Sequence, residues 1–237
     1  MNILIFDTST TACTVALKVN QKVFSCHIEE ANIHSLALLE MVDDVLSEGK
    51  IQLRDVDYLA VGVGPGSFTG LRIGIGVAQS LAYSNGINII PISSLEIIAL
   101  HVLLMDVEGK SKLQDDQSIL VAHDARMSEV YSALFQYQRG KRLVLADDLR
   151  LSSPQEVIPN GPEAQKTICC GNAWQEYSQS ISKPWLNSVI DVPHFPDARK
   201  AVHYVSDNLK QFQSVGWAEL KPIYVRDNVA KKSHKKV

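Results

Sequence analysis

The sequence predicts an α/β protein made of two similar lobes, and three observations carry that reading. First, a short apolar run that meets an acidic turn occurs twice, at residues 3–6 before Asp7 and at residues 119–122 before Asp124. Second, each run is followed by two more strand-like stretches around a polar turn, so each half opens as strand, acidic turn and hairpin. Third, residues 106–117 (DVEGKSKLQDDQ) are polar and without periodicity, as expected of a lobe boundary. The likeness between the halves is one of pattern, not of residue identity. A duplicated actin-like (ribonuclease-H-type) fold follows, with central mixed sheets flanked by helices. The lobes are residues 1–105 and 106–226. A basic tail, 227–237, is expected to be disordered. In that architecture a nucleotide lies between the lobes, with both acidic turns toward its phosphates and a magnesium ion.

The elements follow in order. Residues 3–6, 14–19 and 23–28 read as strands. A helix over 34–48 ends at Gly49, a natural C-cap residue. Its polar residues Glu40, Asp43, Asp44 and Ser47 form one narrow stripe, and leucine, methionine and valine cover the rest. A strand over 58–63 runs into a glycine-rich loop, and a second helix over 69–84 is closed by Gly86. In it Gly70, Gly74, Ala78 and Ala82 recur every four residues, leaving a ridge without large side chains. Residues 87–92 read as a strand, and Ser93 with Glu96 forms a capping box for a helix reaching about residue 104. The second half repeats strands at 119–122, 130–136 and 143–146. It then continues with a strand at 167–170 and helices near 173–182 and 197–212.

Composition narrows the function. A hydrophobic fraction of 46% and a charged fraction of 21% build a core rather than a disordered chain. A net charge of −3 is poor for holding nucleic acid unaided, because phosphates need a basic surface. Any RNA is therefore expected on a partner. The four cysteines, Cys13, Cys26, Cys169 and Cys170, form no C-x-x-C pair and read as buried thiols. The N-terminus has neither a basic segment nor a long apolar run, and no stretch approaches membrane-spanning length. A cytoplasmic location without membrane contact is expected.

The chemical motifs leave alternatives open. The loop Gly64-Pro65-Gly66-Ser67-Phe68-Thr69-Gly70 lies between a strand and a helix, where backbone N–H groups can cradle an anion. A tight turn that starts the second helix is the simpler reading, since no Lys-Ser/Thr follows the last glycine as in a P-loop. Asp7, with Thr8 and Ser9, fits a magnesium or phosphate contact or a hydrogen-bonded turn. Asp124 with Arg126 fits phosphate contact or a local salt bridge. His34 opens the first helix, but position 38 is Leu38, so the i, i+4 histidine pair of a metal helix is missing. No other histidine has ligand spacing, and no metal site is expected. No nucleophile–base set stands out either, so no catalytic residue is assigned. The first two helices are either buried within their lobe or paired with the same helices of another subunit. On the second reading the interface comprises His34, Leu38, Met41, Val42 and Val45 with Leu71, Gly74, Ile75, Ala78 and Ala82.

Several stretches resemble the TsaB family. They are Ile3-Leu4-Ile5-Phe6-Asp7-Thr8-Ser9, His34-Ser35-Leu36, the run from Gly62 to Gly74, Asp124-Ala125-Arg126 with Val130-Tyr131, and Lys221-Pro222-Ile223-Tyr224-Val225-Arg226. The run from Gly62 to Gly74 is the most specific. The resemblance implies an actin-like scaffold subunit that pairs with its paralogue TsaD through the first two helices. It implies a role in threonylcarbamoylation of the adenosine beside the tRNA anticodon. Catalysis and metal would then lie on TsaD, ATP on the partner subunits including TsaE, and tRNA would be met only in the complex. A homodimer through the same helices is implied as well. The competing expectation is an enzyme, either an actin-like ATP-dependent phosphotransferase with Asp7 and Asp124 flanking magnesium, or a peptidase.

Overall fold

The computed structural model describes residues 1–30, 32–107, 113, 117–138, 142–159 and 163–225. Most of the expected lobe boundary, and the basic tail, lie outside the described residues.

The first sheet contains β1 (Asn2–Asp7), β2 (Ala12–Val19), β3 (Lys22–Glu29), β4 (Tyr58–Gly62) and β5 (Asn88–Ile92). Its order is β3-β2-β1-β4-β5, antiparallel across the hairpins and parallel among β1, β4 and β5. Central β1 is apolar on both faces because both are covered. Leu4 and Phe6 join the core under α1 (His34–Gly49) and α2 (Phe68–Asn85). Ile3 and Ile5 point the other way, into the core shared with the second sheet.

The second sheet repeats the opening. It contains β6 (Ser118–Asp124), β7 (Val130–Gln138), β8 (Arg142–Leu145), β9 (Arg150–Ser152) and β10 (Thr167–Cys170). The path is β10-β6-β7-β8, with β9 also on β7. Asp7 ends β1 and Asp124 ends β6, so the two acidic turns hold equivalent places.

Two helices fill the space between the sheets. α3 (Ser94–Val107) follows the first sheet in the chain yet packs on β6, β7 and β10. α6 (Ala198–Asp207) follows the second sheet yet packs on β1 and β2, and α3 and α6 also touch each other. The layers therefore run α1/α2, first sheet, α6/α3, second sheet, with the four-residue α4 (Ala173–Glu176) outside.

Three expectations need correction. Lys50, with φ 55°, takes the left-handed cap position of α1, and Gly49 is the last helical residue. Glycine is needed there for space, since a Cβ would sit 2.8 Å from a Leu17 methyl. The helix expected near 173–182 ends after Glu176, and α5 (Lys183–Leu186) starts anew. Ser178, Ser180 and Ser182 are weak helix formers, and Pro184 fits only a first turn. The helix expected over 197–212 stops at Asp207, with a 3₁₀ turn at Leu209–Gln211. Asp197 starts it by accepting from Arg199 N–H at 2.9 Å.

Candidate functional site

A cleft of about 760 Å³ opens between the two acidic turns. Asp7 is expected at its phosphate end, but it is sealed inside the fold at 1% exposure. Its Oδ1 accepts from Ser9 N–H and from Ser9 Oγ–H, both at 2.7 Å, and its Oδ2 accepts from Ser94 Oγ–H at 2.6 Å. Ser94 Oγ in turn accepts from Gly64 N–H at 3.1 Å. Burial raises the Asp7 pKa, and the hydrogen bonds from Ser9 and Ser94 oppose that. Thr8 is buried too, donating to the Gly70 carbonyl at 2.7 Å, and Ser9 O accepts from Ser67 N–H at 2.6 Å. Asp7 and Thr8 thus tie β1 to the glycine loop and to α3, and only Ser9 of the three lines the cleft. The glycine loop is a clasp on the 7–10 turn. A Cβ at Gly62, Gly66 or Gly70 would collide with Asp7, Ser9 or Thr8 respectively.

Asp124 and Arg126 do line the cleft, and they bond locally. Asp124 Oδ1 accepts from Tyr177 O–H at 2.7 Å and from Arg126 N–H at 2.8 Å, and its Oδ2 lies 3.4 Å from Arg126 Nη1. The Asp124 bond pushes the Tyr177 pKa up to about 12. Of the two carboxylates, only Asp124 lines the cleft, while Asp7 is buried against Ser9 and Ser94. Among the described residues no group of three or more His, Cys, Asp or Glu side chains is placed to hold a metal. His123 and His194 line the cleft, with their Nδ1 atoms buried and without a hydrogen bond. Burial keeps Cys13 and Cys169 protonated, raising each thiol to about 12.

The helix pair corrects the other expectation. His34, Leu38, Met41, Val42 and Val45 of α1 are buried in their own lobe, as are Leu71, Gly74, Ile75, Ala78 and Ala82 of α2. Most pack inward on the sheet, so little of their surface is offered to another subunit; of the ten, Val42 lines the outward groove and His34 the interlobe cleft. The glycine ridge turns inward as well, because Gly70 and Gly74 bring α2 against Thr8. His34 Nε2 lies 3.3 Å from the Ala12 carbonyl.

The outward face holds different residues. Leu36 is 79% exposed and Leu39 56%, while Ile73, Val77 and Leu81 of α2 are half-buried along the seam between the helices. Gly76 has no atom within 4 Å of the place a Cβ would take, so it opens to solvent beside them. A groove of about 450 Å³ runs along the seam past Leu39, Leu46, Ile51, Leu53 and Leu81. The phase of α1 could have revealed these residues. Leu36 stands four and seven residues before Glu40 and Asp43, and Leu39 stands four before Asp43, so both leucines lie in the polar stripe.

The C-terminal segment straps the far side of α2. Val215 bridges to Ile89 on the edge strand, Gln79 Nε2–H donates to the Leu220 carbonyl at 3.2 Å, and Ile223 N–H donates to Val63 O at 2.8 Å. Arg72 lies 3.8 Å above the Phe68 ring and donates to Tyr224 Oη at 3.3 Å.

Comparison with known proteins supports one family. The sequence model of "TsaD: tRNA N6-adenosine threonylcarbamoyltransferase" matches residues 29–215. The "tRNA threonylcarbamoyladenosine biosynthesis protein TsaB" of Haemophilus influenzae is 31% identical over 97% of this chain and 95% of its own length. The protein of the same name from Escherichia coli is 31% identical over 97% and 96%. The structure described as "YeaZ from Pseudomonas aeruginosa" superposes with a TM-score of 0.80 at 29% identity, covering 94% of this chain and 99% of that one.

Proposed function

The chain belongs to the TsaB family, and from that premise we propose that it serves tRNA threonylcarbamoyladenosine biosynthesis as a scaffold that binds TsaD through the outward α1–α2 face. The observation that carries this reading is the exposure of Leu36 and Leu39 on an otherwise polar stripe, beside the half-buried seam of α2. Isolated exposed leucines are ordinary, but two on one helix face next to an apolar groove form a patch suited to a partner. On this reading the transfer chemistry and its metal belong to TsaD, ATP to the partner subunits including TsaE, and tRNA is met in the complex. The local engagement of Asp7 and Asp124 favours a scaffold over a phosphotransferase.

The test is co-purification and sedimentation with TsaD. Leu36→Ser/Leu39→Ser changes exposed positions, so the fold should persist. Losing two leucine contacts should weaken TsaD binding at least about tenfold, given about 1.5–3 kcal/mol for each leucine fully buried. A folded double variant that binds TsaD as tightly as the parent would overturn the assignment of this face. Charges at Gly74 or Ala78 are unsuited to the test, because both positions are interior.

A further inference from the structure

We infer that the α1–α2 face selects a protein subunit whose matching helix surface is basic, and that it discriminates by charge against a second copy of this chain. The inference rests on the reading of that face as the partner surface and adds what the partner must look like.

α1 carries Glu40, Asp43, Asp44 and Glu48, and no lysine or arginine between His34 and Gly49. Those four carboxylates alone exceed the net charge of the whole chain, −3. All four side chains are exposed. No ion pair reaches any of them among the described residues. They frame the apolar patch. Glu40 and Asp43 share the outward stripe with Leu36 and Leu39. Asp44 and Glu48 sit on the flank toward β3, near enough to help burial raise the Cys26 thiol. The one cation on α2, Arg72, lies in its N-terminal part, where it stacks on the Phe68 ring and donates to Tyr224. The patch is thus apolar with an acidic rim along α1, and the basic residues Lys50 at the α1 cap and Arg54 in the 53–55 turn stand only beside its C-terminal end.

A two-fold pairing of this face with itself would set two such rims together around one apolar centre. Both partners would bring the same sign along α1, and the one cation on the two helices, Arg72, is already engaged with Phe68 and Tyr224. A subunit with lysine or arginine around its own apolar helix face would gain what the homodimer loses. The patch supplies contact area to either partner, and the rim decides between them. The two associations must then respond to salt in opposite directions. Screening beyond about 10 Å at 0.1 M relieves like charges and weakens unlike ones.

The experiment is sedimentation velocity of the full chain, alone and with TsaD, at about 50 mM and about 500 mM NaCl. Three variants accompany it: Glu40→Gln/Asp43→Asn, Glu40→Lys/Asp43→Lys and Leu36→Ser/Leu39→Ser. The parent should self-associate several-fold more at the higher salt while its TsaD affinity drops. The neutral variant should self-associate at low salt and lose about tenfold in TsaD affinity. The lysine variant mixed with the parent should form a mixed pair in preference to either self-pair at low salt. The inference is overturned if both associations shift in the same direction with salt, or if the neutral variant behaves as the parent. Should the leucine variant lose both associations while the charge variants change neither, the face is the interface and only the charge selection fails. Should the leucine variant change neither, the assignment of the face itself fails.

Discussion

At the residue scale the most informative side chain is Asp7. As a strand-end aspartate in a polar turn it fits magnesium, yet in the fold it is buried and its two oxygens accept three hydrogen bonds from Ser9 and Ser94. Asp7→Ala would leave those buried donors without an acceptor. An unsatisfied buried donor costs about 1–3 kcal/mol, so the variant should lose on the order of 3 kcal/mol in a urea melt. If the residue served only a metal or phosphate, stability would hold and only ligand binding would suffer. The sequence alone could not separate these roles. The discriminating partner, Ser94, lies 87 residues away and meets Asp7 only once α3 is in place. Asp124 was easier to read, because Arg126 is two residues on, and the local pairing expected as one alternative is present at 3.4 Å.

At the scale of elements, α2 shows how one pattern serves two purposes. The four-residue spacing of Gly70, Gly74, Ala78 and Ala82 does mark close packing, as the sequence suggests. What approaches is Thr8 and the sheet of the same lobe, not another subunit. Periodicity reports that a face is covered and is silent on what covers it. The outward glycine, Gly76, falls outside that spacing and opens to solvent. A matched pair of substitutions tests this division. Gly76→Ala adds a methyl where no atom lies within 4 Å, so only the helix gain remains, about 0.5–1 kcal/mol of stabilisation. Gly70→Ala brings the same helix gain but drives a methyl into the Thr8 carbonyl, which is backbone and cannot swing away. It should destabilise by about 1–3 kcal/mol, as overpacking does. Thermal melts of the two variants should move in opposite directions, and a shared direction would contradict the packing described. The strands were legible for a simpler reason. Core strands such as β1 and β6 are apolar on both faces, whereas four-residue α4 and α5 are too short to show a period.

At the scale of the whole molecule, the duplication was legible and the interleaving was not. Nothing in the order of elements says that α3 crosses to the second sheet or that α6 returns to the first, since each choice buries the same apolar stripe. The consequence is one shared core, from Ile3 and Ile5 through Leu100 and Val202 to Phe135, so the sheets should unfold together. Two histidines at this junction give that core a pH dependence. His101 on α3 contacts the Phe195 carbonyl through Nε2 at 2.9 Å, with Asp197, Lys200 and His194 nearby, and burial lowers its pKa to about 4. His123 at the end of β6, near Asp124, His194 and Arg126, is lowered to about 4 for the same reason. The folded state holds both rings neutral, while the unfolded chain takes up protons near 6.5. Between those values the unfolded state binds more protons, so stability rises with pH. The contribution is complete above about 6.5 and lost as pH falls toward 4, on the order of 3 kcal/mol for each ring. Asp7, raised by burial, acts with the opposite sign, but equally in parent and variant. His101→Gln keeps a donor for Phe195 and removes the titration. Denaturation midpoints of parent and variant should therefore converge as the pH drops from 7 to 4.5, with the parent losing more. Parallel curves over that range would mean that His101 is not held neutral in the fold.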